Sequence, residues 1–148
     1  EKVTPRLRSA AVFGTLDHVG YLAADIDAAV DEFVSVLGLA VARRFERPEF
    51  SLLGVYLGPG EGSVEVFTFS DAELLARRLD GQRIVLDHVA YAVEDIDAEA
   101  ARMHAAGVRF SGPDRRGELH EAVDLGGIRH LWTVPETSAS ATIQLLQR

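Results

Sequence analysis

Cysteine is absent from this 148-residue chain, which excludes disulfides, thiolate metal sites and cysteine nucleophiles together. Basic residues are in deficit. The 15 Lys and Arg stand against 23 Asp and Glu, and a net charge of -8 leaves no electrostatic footprint for nucleic acid and disfavours anionic membrane surfaces. A local basic pocket for an anionic ligand is still compatible with that balance. Long apolar runs are also missing: no stretch approaches the ~20 residues that cross a bilayer. The opening EKVTPRLRSAAVFG has no continuous apolar core of signal-peptide length, so a cytoplasmic location is the default expectation. What remains is an ordinary globular composition, 47% hydrophobic and 26% charged, in a chain long enough for one well-buried domain.

Against these absences stands a segment written twice. Residues 17–28 read DHVGYLAADIDA and residues 87–98 read DHVAYAVEDIDA, 70 positions on, with eight of twelve positions identical. A repeat of this period marks two copies of one supersecondary unit. His18 and His88 hold the same place in each copy, so a fold that joins the copies also joins the histidines. Paired histidines of that kind point to a metal.

Each copy has the same predicted plan. In the first, Leu16, His18 and Gly20 alternate with Asp17, Val19 and Tyr21, the pattern of a strand. A helix follows, with Asp25 as N-cap, Asp27 in the first turn, Gly38 as the stop, and Ile26, Val30, Phe33, Val34 and Leu37 on one stripe. Extended stretches are expected over 39–46, 51–57 and 63–69, the last two separated by the turn-rich GPGEG. SDAE at 70–73 reads as a capping box opening a short linker helix through Leu79. The second copy repeats the plan with Asp95 as N-cap, Ile96, Ala100 and Met103 buried, and Gly107 as the stop. Its strands are expected over 108–111, 119–124, 128–134 and 141–146.

If the last strand of each half lies beside its first, two more residues join the histidines. Glu65 in SVEVFTF and Gln144 in TIQLLQ each interrupt an apolar strand at the corresponding place in its half. Two imidazole nitrogens, one carboxylate and one amide oxygen suit a single divalent first-row ion with open positions for water or substrate. The set does not discriminate among nickel, cobalt, manganese, iron and zinc. The alternative for His18, His88 and Gln144 is a buried polar side chain hydrogen-bonded to its surroundings, and for Glu65 a strand-edge carboxylate facing water.

The double DHV motif, the βαβββ repeat, Glu65 and the closing strand resemble the vicinal oxygen chelate superfamily of glyoxalases, bleomycin resistance proteins and dioxygenases, from Thr15 to Gln147. The spacing and the GGIRHLWTVPE segment are most similar to methylmalonyl-CoA epimerases, with glyoxalase I next. The resemblance implies an α+β fold: two tandem βαβββ modules forming a curved mixed sheet around one metal-binding cavity. It implies a single domain over 1–148, with module one at about 15–69, a linker helix at about 70–80 and module two at about 84–147. It also implies a metal held by His18, Glu65, His88 and Gln144, and a reaction in which the metal chelates vicinal oxygens and stabilises an enolate or enediolate while a side chain moves a proton. Relatives often pair, so a homodimer is an expectation as well.

Two positions depart from the family pattern. Gln144 stands where Glu is usual, and Gly54 falls where the epimerases carry a second catalytic glutamate on the middle strand of the first half. Both acid/base groups of the epimerase mechanism are then missing. Glu65, the pseudo-equivalent of Gln144, becomes the leading candidate base, since glyoxalase I enzymes can use a carboxylate ligand in that way. His120 and His130, on predicted strands of the second half, are candidates for acid/base or carbonyl contacts, each with a surface position as the alternative. Trp132 and Tyr56 read as packing residues able to line a ligand wall, His104 as a packing or helix-edge residue, Arg129 as half of an interstrand ion pair with a carboxylate or phosphate contact as the alternative, and the pairs Arg43, Arg44 and Arg115, Arg116 as solvated, with contact to an anionic substrate as the alternative.

Three functions compete. The first is a metal-dependent isomerase, epimerase or glyoxalase-type lyase acting on a small carbonyl or thioester substrate. The second is an iron-dependent dioxygenase, because two histidines and one carboxylate also make a facial triad. The third is a metal-free drug-binding protein, against which the retained histidine pair speaks.

Overall fold

The computed structural model describes residues 13–148, so most of the opening segment read above for a leader lies outside the described residues. In chain order the elements are β1 (Thr15–Ala23), α1 (Ile26–Leu37), β2 (Val41–Arg47), β3 (Leu52–Leu57), β4 (Val64–Phe69), α2 (Ala72–Leu79), β5 (Ile84–Ala92), α3 (Ile96–Ala105), β6 (Phe110–Ser111), β7 (Val123–Asp124), β8 (Arg129–Thr133) and β9 (Thr142–Gln147). Nine strands make one open, curved, mixed sheet in the order β2-β3-β4-β1-β5-β9-β8-β6, with β7 on β8. Parallel pairs β1–β4 and β5–β9 flank an antiparallel β1–β5 seam. The last strand of each half therefore lies beside its first. Gly20 faces Glu65 across one pair and Ala90 faces Gln144 across the other, so the 70-residue period survives in the hydrogen-bond register.

Local chemistry sets the helix ends. Asp25 and Asp95 accept from the amides of Ala28 and Ala98 at 3.0 Å, satisfying donors that the first turn leaves free. Gly38 ends α1 in the left-handed region at φ 68°. The cap of α2 is Asp71 rather than Ser70: the Asp71 carboxylate takes the Leu74 amide at 3.0 Å, while the Ser70 hydroxyl donates to the Ser51 carbonyl. The stripe on α1 is narrower than its sequence suggests. Val30 is buried and Ile26 and Phe33 pack with it, but Val34 and Leu37 are exposed. Of the strand expected over 119–124, only Val123 and Asp124 pair with β8.

Burial assigns the faces. Ala29 and Val30 of α1 pack on Val55, Leu57 and Val66, and Ile96 and Met103 of α3 pack on Leu131 and Leu145. Each large apolar side chain so buried contributes roughly 1.5–3 kcal/mol. Because side chains alternate along a strand, the neighbours Tyr56, Glu65, His130 and Gln144 point the other way, into one cavity. Alternation fails once on each central strand, and that failure builds the site.

Candidate metal centre

Three buried side chains from three strands meet at the seam. His18 Nε2 lies 2.9 Å from Glu65 Oε2 and 3.3 Å from His88 Nε2, and His88 Nε2 lies 3.7 Å from the same carboxylate oxygen. All three residues are at most 5% exposed. They are the group of His and carboxylate side chains among the described residues whose ligand atoms converge closely enough to hold an ion.

The orientation of the two rings comes from the aspartate that precedes each histidine. Across the seam, Leu16 and His18 pair with the consecutive residues Tyr91 and Ala90, so Asp17 is an extra residue on β1. Gly20 and Tyr21 pair with His88 and Leu86, so Asp87 is the extra residue on β5. A β-bulge re-aims the side chains around it. Here each bulge turns the aspartate to the side of its histidine. Asp17 Oδ1 lies 2.7 Å from His18 Nδ1, and Asp87 Oδ2 lies 3.0 Å from His88 Nδ1. The bulge also explains why Leu16 is exposed while His18 is buried, against the simple alternation expected of β1. An arginine stands behind each aspartate: Arg148 on Asp17 at 2.8 Å, and Arg78 on Asp87. The strand reading missed these aspartates, although each stands beside its histidine in the repeat.

With each Nδ1–H given to a carboxylate, both Nε2 lone pairs point at Glu65 Oε2. Three electron-rich atoms so close together need a cation among them. Metal–ligand bonds of roughly 2.0–2.2 Å would put ligand atoms about 3.0–3.4 Å apart, close to the spacing observed, so the donor set fits a divalent ion. A proton competes for the same place. Burial opposes the imidazolium at His88, but Asp87 and Glu65 outweigh it and raise the pKa to about 9. His18 is raised in the same way, against burial, by Asp17 and Glu65. Glu65 is held well below the usual carboxylate range, against burial, by the two histidines when they are protonated, His18 at 2.9 Å and His88 at 3.7 Å.

Two expected results follow from this arrangement. Binding an ion must expel the His88 proton, so apparent metal affinity should rise with pH up to about 9, by as much as about tenfold per unit for each proton released. Chelator competition at several pH values measures this, and a flat profile over that range contradicts it. Replacing Asp17 or Asp87 with Asn keeps the shape but removes the charge that orients each ring. Metal affinity should fall roughly 10–100-fold, with Asp87→Asn also destabilising the fold because the buried Arg78 loses its charge partner, and unchanged affinity would refute an orienting role.

The fourth candidate, Gln144, is 3% exposed and sits on β9 facing the same cavity. Its Nε2 lies 2.9 Å from His130 Nδ1, and its Oε1 has no hydrogen-bond partner. Read as a donor to Nδ1, the amide leaves its oxygen free for an ion and fixes the His130 proton on Nε2. That Nε2 is likewise buried and without a partner. Burial pushes the His130 pKa down to about 4, so the ring is neutral. It stacks on Trp132 at 5.5 Å. Phe45, Phe50, Tyr56 and Phe67 complete the walls of a cavity of about 40 Å³. The Phe45 ring fills the space over Gly54: a Cβ there would lie 2.2 Å from the far end of that ring, which stacks on Tyr56 and would have to move. His120 is exposed and lines a separate groove with Asp97 and His104, because the segment before β7 is not part of the sheet. Arg129 makes its ion pair with Asp97 at 2.8 Å. Arg115 is exposed, as expected, while its guanidinium donates to Thr142 Oγ1 at 3.0 Å.

Comparison with known proteins agrees with this architecture. The methylmalonyl-CoA epimerase of Mycobacterium tuberculosis superposes with a TM-score of 0.76 at 23% identity, over 95% of this chain and 91% of that one. A second methylmalonyl-CoA epimerase gives 0.70 at 26% identity, over 90% and 94%. The Streptomyces coelicolor epimerase bound to 2-nitronate-propionyl-CoA gives 0.72 at 20% identity, over 90% and 96%. No curated protein matches the chain by sequence. Residues 17–123 match the sequence model of one family. The duplicated strand–helix unit, the paired histidines at its seam and that match together place the chain in the Glyoxalase/Bleomycin resistance protein/Dioxygenase superfamily.

Proposed function

We propose that the protein is a divalent-metal-dependent isomerase, epimerase or glyoxalase-type lyase that removes a proton next to the carbonyl of a small carbonyl or thioester substrate. The observation that carries this reading is the convergence of His18, Glu65 and His88 beside two buried polar atoms that lack partners, Gln144 Oε1 and His130 Nε2. His18, Glu65, His88 and Gln144 would hold the ion. When bound, such an ion polarises a substrate carbonyl as a Lewis acid and makes the adjacent proton more acidic.

The remaining roles belong to the chain. Glu65 is the one carboxylate among the residues lining the cavity, and it accepts the proton. The neutral His130 donates its Nε2–H to the substrate oxygen, where negative charge develops as the proton leaves. Gln144 holds His130 in the tautomer that can donate. The apolar and aromatic walls lower the local dielectric and strengthen both interactions. This division replaces the two carboxylates implied by the resemblance to the epimerases: Phe45 fills the space over Gly54, and position 144 is an amide.

The test is deuterium incorporation from solvent into methylmalonyl-CoA, propionyl-CoA and the hemithioacetal of methylglyoxal, by protein reloaded with each candidate metal. Exchange at the carbon next to the carbonyl, dependent on metal, supports the reading; its absence across the panel counts against it. The bare set of two histidines and one carboxylate favours one other reading, an iron-dependent dioxygenase, which predicts oxygen consumption by the iron-loaded protein.

A further inference from the structure

Twelve arginines lie among the described residues, and nine of them have a carboxylate within 4.0 Å. In a chain with 23 acidic and 15 basic residues, pairing is the expected fate of an arginine. Arg43, Arg47 and Arg109 are the exceptions, and two of these stand together. Arg43, Phe45 and Arg47 alternate along β2 and so share one face, and Phe45 lines the cavity described above.

Aromatic rings hold both guanidinium groups in place. Arg43 lies 4.4 Å from the centroid of Tyr56, and Arg47 lies 5.3 Å from that of Phe45. Arg47 also donates from Nη1 to the Glu46 carbonyl at 3.0 Å, which leaves its other N–H groups to donate. Stacking fixes the plane of a guanidinium without using its N–H groups, so less entropy is lost when an anion arrives. Arg47 lines the cavity itself, and Arg43, Arg47, Tyr56 and His130 also line the recess beside it. The acids in that recess are already engaged: Arg148 lies 2.8 Å from Asp17 and 3.9 Å from Glu61.

We infer that Arg43 and Arg47 form an anion subsite at the cavity mouth, which selects substrates bearing a carboxylate or phosphate in addition to the reacting carbonyl. This rests on the reading of the cavity as the substrate site, and it supplies the substrate class which that reading leaves open. Two forks on one strand suit an oxyanion with several acceptor oxygens. The local basic pocket compatible with the acidic composition is thus placed on the edge strand, over the aromatic wall.

Calorimetric titration of the full chain, as purified and after chelator treatment, tests the assignment with succinate, inorganic phosphate and neutral succinamide as probes. Saturable binding of succinate or phosphate is expected in both preparations, with none for succinamide. Whichever anion binds more tightly identifies the group recognised. Arg47→Gln and Arg43→Gln should each weaken binding about tenfold or more, Arg47→Lys should retain part of it, and Arg109→Gln should leave it unchanged. The inference is overturned if neither anion saturates, if Arg43→Gln and Arg47→Gln bind as wild type does, or if binding is lost with the metal. Metal content measured on the same samples reads the metal assignment separately, so the two failures are distinct.

Discussion

Adding one methyl group at position 20 should remove most of the metal binding. A Cβ built on Gly20 lies 2.1 Å from His88 Cε1, 2.4 Å from Nε2 and 2.5 Å from Nδ1, so the ring rests directly on the glycine. Three ring atoms meet that methyl together, and the imidazole cannot slide aside without leaving both Glu65 Oε2 and the Asp87 carboxylate. The other copy carries Ala90 at the same place, opposite His18 and fully buried, so the two rings sit differently over their cross-strand neighbours. Gly20→Ala should cost roughly 1–3 kcal/mol through overpacking and lower metal affinity by about 100-fold. Chelator competition and thermal unfolding measure the two effects. A Gly20→Ala protein that binds metal like wild type would show that His88 is not held by this contact.

Glu65→Gln should have the largest effect on turnover. The carboxylate of Glu65 is buried between two histidines and is the sole acid in the cavity lining. An amide keeps an oxygen donor and the volume but accepts no proton. Solvent exchange into a substrate should therefore fall about 10²–10⁴-fold at saturating metal. Metal content must be read on the same sample, since a site emptied by the substitution would also be inactive. If Glu65→Gln holds metal and still exchanges at the wild-type rate, Glu65 is not the base.

How far the site could be read from sequence varies by residue, and the reasons are physical. His18 and His88 were legible because the repeat wrote them twice, and Glu65 and Gln144 because a polar side chain in an apolar strand is conspicuous. Asp17 and Asp87 were not, because adjacent residues on a regular strand face opposite ways, and the bulges at the seam reverse that. The contact between Gly20 and His88 joins strands distant in sequence, and the repeat records it as no more than a glycine against an alanine. His130 and His120 looked equivalent by composition and pattern. The sheet separates them, since β8 is paired on both sides whereas the segment around His120 is not a strand. The strand order follows from the βαβββ plan and from burying one face of each half, so the architecture was more legible than the site it carries.

The central claim is that His18, Glu65 and His88 hold one divalent ion at the seam between the two copies. Elemental analysis of chain purified without chelator, then reloaded and desalted, tests it most directly, with His18→Ala as the comparison. The account predicts one ion per chain in the wild type and loss of that ion in His18→Ala. No bound metal under any loading condition, or the same content in both proteins, would contradict it.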